Sequence, residues 1–296
     1  MSLKGKRIFI TGGSRGIGLA IARRAAAEGA RIAIAAKTDR PHPKLEGTIH
    51  SAAEEIRAAG GEALPILCDI RDEAATKAAV DEAAAAFGGL DILVNNASAI
   101  SLTPTLATEP KRFDLMLGVN ARGTFMTTQA ALPHLLKAEN PHVLTLSPPL
   151  DLDVSWFRNH AAYSLAKYGM SLLTLGWAGE YQGKVAFNCL WPRTTIDTAA
   201  VRNLLGGLEM ANQSRKPEIL ADAAAVVFGK PARSFTGWFL LDDLLLAAEG
   251  VTDFEPYAVT PGAPLAPDFF VPHDAPSPEA AQGMIGWRAQ GLKPGV

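Results

Sequence analysis

Seven short apolar segments, separated by longer stretches rich in alanine, most constrain how this chain can fold. They are 7–10 (RIFI), 31–36 (RIAIAA), 63–68 (ALPILC), 91–95 (DILVN), 142–146 (HVLTL), 185–190 (VAFNCL) and 237–241 (GWFLL). Each is apolar throughout rather than alternating, the pattern of a strand covered on both faces. Helices are predicted between them, near 17–28, 51–59, 72–87, 111–138, 161–182, 199–212 and 217–229. This rhythm builds parallel β-α units, so the expected fold class is α/β: a doubly wound parallel sheet of about seven strands with helices on both faces. The helix at 51 opens with Ser51-Ala-Ala-Glu54, which reads as a capping box. Gly60-Gly61 and Gly88-Gly89 read as helix stops.

The length of 296 residues suits one large α/β domain or two small ones. Residues 1–250 hold all the predicted strands. Residues 251–296 differ, since eight of the chain's 20 prolines fall there, from Pro256 to Pro294. They are expected to form an arm packed on the domain or on a neighbouring subunit. The connection TDRPHPKLEGTIH, residues 38–50, is also longer than usual for such a fold.

With 48% hydrophobic and 20% charged residues, the chain has an ordinary globular composition. A formal charge of −2 without a basic block gives no footprint for nucleic acid or an anionic membrane. No apolar run is long enough to span a bilayer, and MSLKGKRIFI enters a strand at once without a visible leader. Two cysteines, Cys68 and Cys189, make a disulfide framework improbable and suit a reducing cytoplasm. Six scattered histidines without a Cys/His cluster argue against a zinc or iron site.

The first strand runs into Thr11-Gly12-Gly13-Ser14-Arg15-Gly16-Ile17-Gly18, and a helix follows immediately. Glycine permits the tight turn and lets the backbone approach a pyrophosphate closely, while the helix N-terminus presents free N–H groups to the anion. The spacing is GxxxGxG rather than GxGxxG. The second strand ends Ala35-Ala36-Lys37-Thr38, without the carboxylate that would bind a ribose 2′-OH and repel a 2′-phosphate. Lys37 and Arg15 therefore favour NADP(H), with NAD(H) possible, by charge pairing to that phosphate. The bland reading of either cation is a solvated surface charge.

AAYSLAKYGM, residues 161–170, puts Tyr163 and Lys167 one turn apart on a helical face. Hydride transfer between a nicotinamide and a carbonyl carbon requires a proton partner for the oxygen. A phenol with an ordinary pKa of about 10 is poorly matched to that task at neutral pH. A neighbouring ammonium is expected to stabilise the tyrosinate and lower that value.

With these pieces the chain resembles the short-chain dehydrogenase/reductase family. The resemblance rests on TGGSRGIG (11–18), CDIRD (68–72), NNAS (95–98), VNARGTF (119–125), YSLAK (163–167) and NCLWPRT (188–194), over about residues 5–245. It is closer still to the hydroxysteroid-dehydrogenase-like branch, through AAKTDRPHPKLEGTIHSAAEEI, NNASAISLT, LSPPLDLDVSWF, AKYGMSL and FEPYAVTPGAPLAPDFF. Relatives in that branch can carry a sterol-carrier domain after the dehydrogenase; these 296 residues leave no room for one.

The resemblance implies a Rossmann-type dinucleotide-binding domain over 1–250 that includes the substrate site. It makes Tyr163 the acid in reduction and the base in oxidation. Lys167 also binds the nicotinamide ribose, and Asn120 holds a proton-relay water. Gly12, Ser14, Arg15, Gly16, Ile17, Gly18, Lys37, Asp69 and Asn96 become cofactor residues, with Pro192 and Thr194 beside the carboxamide. It also implies a homodimer or homotetramer built through the helices at 111–138 and 161–182. Asn120 and Asp69 have bland readings too, as a local backbone partner and a surface carboxylate. Two departures stand out: Ser98 replaces the glycine of NNAG, and Arg193 replaces the glycine of the family's Pro-Gly.

The family places a serine about thirteen residues before the tyrosine, which here is Leu150. Ser147 directly follows the fifth strand and is the expected substrate-binding serine, with Ser155 as runner-up. His160 reads as a helix-start residue. Trp156, Phe157 and Trp191 read as pocket wall or core around an apolar substrate, and Phe269-Phe270 as a cover for the site or for another subunit. The expected function is alcohol–carbonyl interconversion on a small apolar or lipid-like substrate. The alternatives are a dinucleotide-binding sensor with little turnover, and enoyl reduction, in which the YxxxK spacing is usually altered.

Overall fold

The computed structural model describes residues 2–41 and 46–292. The connection expected over 38–50 therefore lies partly outside the described residues, as does Pro294. The strands are β1 (Arg7–Thr11), β2 (Arg31–Ala36), β3 (Glu62–Leu67), β4 (Ile92–Asn95), β5 (His142–Thr145), β6 (Ala186–Trp191), β7 (Trp238–Leu241) and β8 (Gly286–Arg288). They form a single sheet in the order β3-β2-β1-β4-β5-β6-β7-β8. The first seven pair in parallel, and β8 pairs antiparallel to β7, opposing Phe239 with Trp287.

The sheet therefore has eight strands rather than about seven. The eighth comes from the arm, where its three residues, bounded by turns, give no apolar run to read.

The helices are α1 (Gly16–Ala27), α2 (Ile49–Ala58), α3 (Glu73–Phe87), α4 (Pro110–Leu117), α5 (Thr124–Leu135), α6 (Ala161–Glu180), α7 (Gly207–Asn212), α8 (Glu218–Gly229) and α9 (Asp242–Ala248). Successive strand residues point to opposite faces, so each strand feeds two cores. Ile8, Ile10, Ile32 and Ile34 pack with Ile21, Ile56 and Val227 on one face. Phe9, Ala33, Leu93 and Phe187 pack with Val80, Leu135 and Trp177 on the other. A third cluster, with Met116, Tyr163, Trp191, Leu244 and Phe270, closes the sheet beyond the strand ends. Strand order reverses between β1 and β4, which opens a crevice at their C-terminal ends.

Three helix boundaries differ from expectation. α2 starts earlier, because Thr48 and not Ser51 is its N-cap: the Ser51 N–H donates to Thr48 Oγ1 at 3.1 Å and the Thr48 N–H to Ser51 Oγ at 2.9 Å. The 199–212 segment is broken, because Gly206 at φ +146° separates a wide turn over Val201–Leu205 from α7. Between α4 and α5 the backbone widens into a π-helical turn over Gly118–Gly123, which contains Asn120. Among the described residues no helix is long and apolar enough to cross a membrane.

Candidate active site

The turn between β1 and α1 is shaped by what it excludes. Gly12 and Gly16 hold positive φ, +65° and +54°. A Cβ on Gly18 would lie 2.5 Å from Asn96 Nδ2 and 2.8 Å from Gly12 O. The Asn96 amide donates to the carbonyls of Thr11 (2.9 Å) and Gly12 (3.0 Å), tying the loop to the end of β4. Beside this loop lies a cleft of about 350 Å³ lined by Gly12, Ser14, Arg15, Gly16, Ile17, Lys37, Asp69 and Asn96, among others. Glycine backbone without room for a side chain, at a helix N-terminus, suits an approaching phosphate.

Lys37 is exposed at the cleft rim. Arg15 is committed elsewhere in part: Nε donates to Glu46 O (2.8 Å) and Nη2 to Gly47 O (2.7 Å). Asp69 forms an ion pair with Arg71, which holds its carboxyl below the ordinary value, with a smaller pull from Lys37.

Tyr163 and Lys167 lie one turn apart on α6 and line a second cavity, of about 190 Å³, together with Pro192. Its walls are mostly apolar: Ile17, Ile100, Leu146, Trp191, Ile196, Val201, Leu205 and Phe269. Ile17, Asn96, Ser98, Thr198 and Ala200 line both this cavity and the glycine-loop cleft, so the two spaces adjoin. Lys167 Nζ donates to Leu146 O at the end of β5 (2.8 Å) and sits 4.9 Å from the centre of the Trp191 ring. Burial pulls its ammonium down to about 8, against the opposing charge of Asp268. The Tyr163 phenol is held above its ordinary value, first by burial and then by the charge of Asp268. This is opposite to the expected direction. The lysine ammonium is directed at a carbonyl and an indole face, and desolvation of the phenol dominates.

The other predicted residues divide. Asn120 is fully buried, and its side chain pairs with the backbone of Ala99, accepting from N–H (2.7 Å) and donating to C=O (3.1 Å). It does not line the cavity. Ser147 is also fully buried and is not brought to the cavity; its hydroxyl donates to Cys189 Sγ at 3.2 Å. Alternation explains this: Leu146 faces the cavity, so its neighbour faces the other way. Ser155 Oγ pairs with His273 Nε2 at 3.2 Å, also away from the cavity. Thr194 is buried, and its Oγ1 has no partner among the described residues. His160 is buried, with Nδ1 3.0 Å from Ser164 Oγ and its ring edge-on to Phe269. Trp156 packs on His273 and Phe270, and Phe157 on Tyr168.

Arg193 has a structural task. Its Nε donates to the fully buried Asp243 at 2.6 Å, and Nη2 to Pro276 O in the arm at 2.7 Å. Its backbone N–H donates to Asp242 Oδ1 at 2.9 Å. The arm then returns across the site: Asp268 N–H donates to Arg193 O (2.9 Å) and Trp191 Nε1 to Phe269 O (2.7 Å). Asp268 and Phe269 thereby line the cavity, and Phe270 is fully buried beside Tyr163 and Trp191. The sequence reading did not identify Asp268. The one signal was an acid between a proline and two phenylalanines in PDFF, in an otherwise Pro-rich tail.

A glycine-lined cleft at a strand-order reversal, joined to a buried Tyr/Lys pair, defines a class of dinucleotide-dependent α/β enzymes. A family model described as short chain dehydrogenase matches residues 6–206, and the chain belongs to that family. Within it the chain falls in the hydroxysteroid-dehydrogenase-like branch. It is 59% identical over 269 residues to hydroxysteroid dehydrogenase-like protein 2 of Danio rerio, covering 91% of this chain and 64% of that protein. The chain thus spans less than two-thirds of the length of this curated relative. A solved structure of a putative dehydrogenase from Xanthomonas campestris is 56% identical with a TM-score of 0.89, covering 92% of this chain and 99% of that one. A short chain dehydrogenase from Burkholderia cenocepacia, solved in complex with NADP, is 31% identical with a TM-score of 0.66, covering 80% and 95%.

Proposed function

We propose that this protein is an NADP(H)-dependent oxidoreductase that interconverts an alcohol and a carbonyl on a small apolar or lipid-like substrate. The observation that carries this reading is the shared wall between the glycine-loop cleft and the cavity holding Tyr163 and Lys167. A dinucleotide lying along the cleft would supply or accept the hydride at that wall. The positive-φ glycine backbone at Gly12 and Gly16, both on the cleft wall, fits such a ligand.

The chain's own residues handle the proton. The Tyr163 hydroxyl, with no hydrogen-bond partner among the described residues, donates to the developing alkoxide in reduction and accepts from the alcohol in oxidation. Lys167, charged below about 8, stabilises the tyrosinate formed in that step. The apolar walls exclude water and favour an apolar substrate. Lys37 at the rim supports a preference for a 2′-phosphate, as does the NADP complex of the Burkholderia relative.

Phe125 on α5, Leu136 just past its end, and Leu165 and Leu172 on α6 are exposed, which supports a homodimer or homotetramer through those helices. Free, buried Cys68 and Cys189 are compatible with a reducing cytoplasm.

The second reading, a dinucleotide-binding sensor with little turnover, draws on the absence of Ser147 from the cavity. NADPH fluorescence quenching with a screen of aldehydes, ketones and sterols separates the two. The wild type and Tyr163→Phe should both quench, and only the wild type should oxidise NADPH at a useful rate, with the variant about 10²–10⁴-fold slower. Quenching without oxidation of NADPH in the wild type would favour the sensor.

A further inference from the structure

We propose that Asp268, delivered by the C-terminal arm, is a catalytic residue that donates a hydrogen bond from its protonated carboxyl to the reacting substrate oxygen. This rests on the oxidoreductase reading above and names the group that does the work Ser147 is turned away from.

The geometry carries the argument. Asp268 lines the cavity that also holds Tyr163, Lys167 and Pro192. One carboxyl oxygen, Oδ1, accepts from the Phe269 N–H at 2.6 Å. The other has no hydrogen-bond partner among the described residues. The arm is pinned on both sides of this point: Thr195 N–H donates to Ala266 O (2.9 Å), Asp268 N–H to Arg193 O (2.9 Å) and Trp191 Nε1 to Phe269 O (2.7 Å). Phe270 is held in the left-handed region at φ +66° with its ring fully buried, so the backbone here is fixed against its own preference. A carboxyl on the cavity wall, carried by backbone pinned at these points and held at one oxygen by the Phe269 N–H, is preorganised in the way an oxyanion donor must be.

Several charged or titratable groups face it. Tyr163 and Lys167 come from α6, Asp242 from the start of α9, and Arg193 from the segment after β6, its guanidinium taken by Asp243. His160 reaches the same wall through Phe269. Burial pushes the Asp268 carboxyl up to about 7. The Phe269 N–H and Lys167 oppose this, and Asp242 adds to it. Near neutrality a neutral, donating form is thus substantially populated. In the reductive direction the carbonyl carbon gains the hydride and its oxygen takes the Tyr163 proton. Asp268 keeps its own proton and only stabilises the charge as it develops.

The test uses decanal and NADPH as probes, with Asp268→Ala and Asp268→Asn compared with the wild type. Asp268→Ala should lose about 10²-fold or more in kcat/KM, as for removal of an oxyanion donor, with NADPH quenching unchanged. Asp268→Asn keeps a donor and the bond to Phe269, so it should retain activity within about tenfold. It should also lose the decline in rate through about pH 7 that ionisation of the wild-type carboxyl produces. An infrared difference spectrum across neutrality should show a protonated-carboxyl band in the wild type that is diminished in Asp268→Asn, the remainder belonging to Asp242, whether or not decanal turns over.

The proposal is overturned if Asp268→Ala stays within twofold of the wild type, if the limb near 7 persists in Asp268→Asn, or if the infrared band is as strong in Asp268→Asn as in the wild type. A wild type that binds NADPH and oxidises none with any aldehyde, ketone or sterol of the screen above defeats the oxidoreductase reading itself, a separate result.

Discussion

Lys37 stands where the chemistry of the cofactor's far end is decided. No carboxylate occupies the end of β2, and Arg15 is partly spent on the carbonyls of Glu46 and Gly47, so Lys37 is the main cation offered to a 2′-phosphate. Lys37→Asp would place a negative charge against that phosphate and offer an acceptor to a 2′-OH. The ratio of kcat/KM for NADPH over NADH should fall by about tenfold or more, the size of one charge-assisted contact; an unchanged ratio would show that another group reads the phosphate. At this scale the glycine loop and the Tyr163/Lys167 pair were legible because each is contiguous in sequence. Ser147 was misread because its position after β5 set the right level along the strand but not the face, which alternation assigns to Leu146. Phe269-Phe270 was read as a cover for the site or for another subunit, but Asp268 was missed because nothing local to PDFF says that the acid faces the cavity.

The arm and the segment after β6 act as one element. Arg193 in place of glycine had no sequence-level explanation, since its partners Asp243 and Pro276 lie far along the chain. In the structure it neutralises a fully buried carboxylate, helped by Arg215 at 3.3 Å, and ties the arm down. Arg193→Gly would restore the family residue and leave Asp243 with one partner. A loss of about 3 kcal/mol is expected, the usual result of breaking a buried pair, seen as a lower denaturant midpoint and faster proteolysis within 266–290. Arg193→Lys should recover only part of this, because one ammonium cannot replace the guanidinium's separate bonds to Asp243 and Pro276. A glycine variant as stable as the wild type would remove Arg193 from this role. The seven parallel strands were legible from their unbroken apolar runs. β8 was not, and neither was the π-helical turn at Asn120, which arises where a buried amide engages the neighbouring Ala99 backbone.

Across the whole molecule the buried titratable groups set an unusual pH dependence. Burial pushes Asp242 and Asp268 each up to about 7, whereas an unfolded aspartate titrates near about 4. Between those values the native state binds more protons than the unfolded one, so both groups lower stability as pH rises. His142 works the other way. Burial pulls it down to about 4, below the unfolded value of about 6.5, so it adds stability as pH rises through that interval. His160, also pulled below its ordinary value by burial, works with His142, so two falling contributions meet two rising ones below about 6.5, and a net loss is left only between about 6.5 and about 7, where the histidines no longer contribute. Below about 4 the carboxylates held low by ion pairs, such as Asp91 with Arg7, protonate and stability falls. The denaturant midpoint should therefore fail to rise between pH about 5 and about 7, where a protein without such carboxyls would be at or near its optimum. Asp268→Asn removes one falling contribution, so its midpoint should rise over this interval. A wild-type midpoint that climbs steadily to neutral pH would mean that these carboxyls are ionised in the native protein, and that the protein bears their burial by some other compensation.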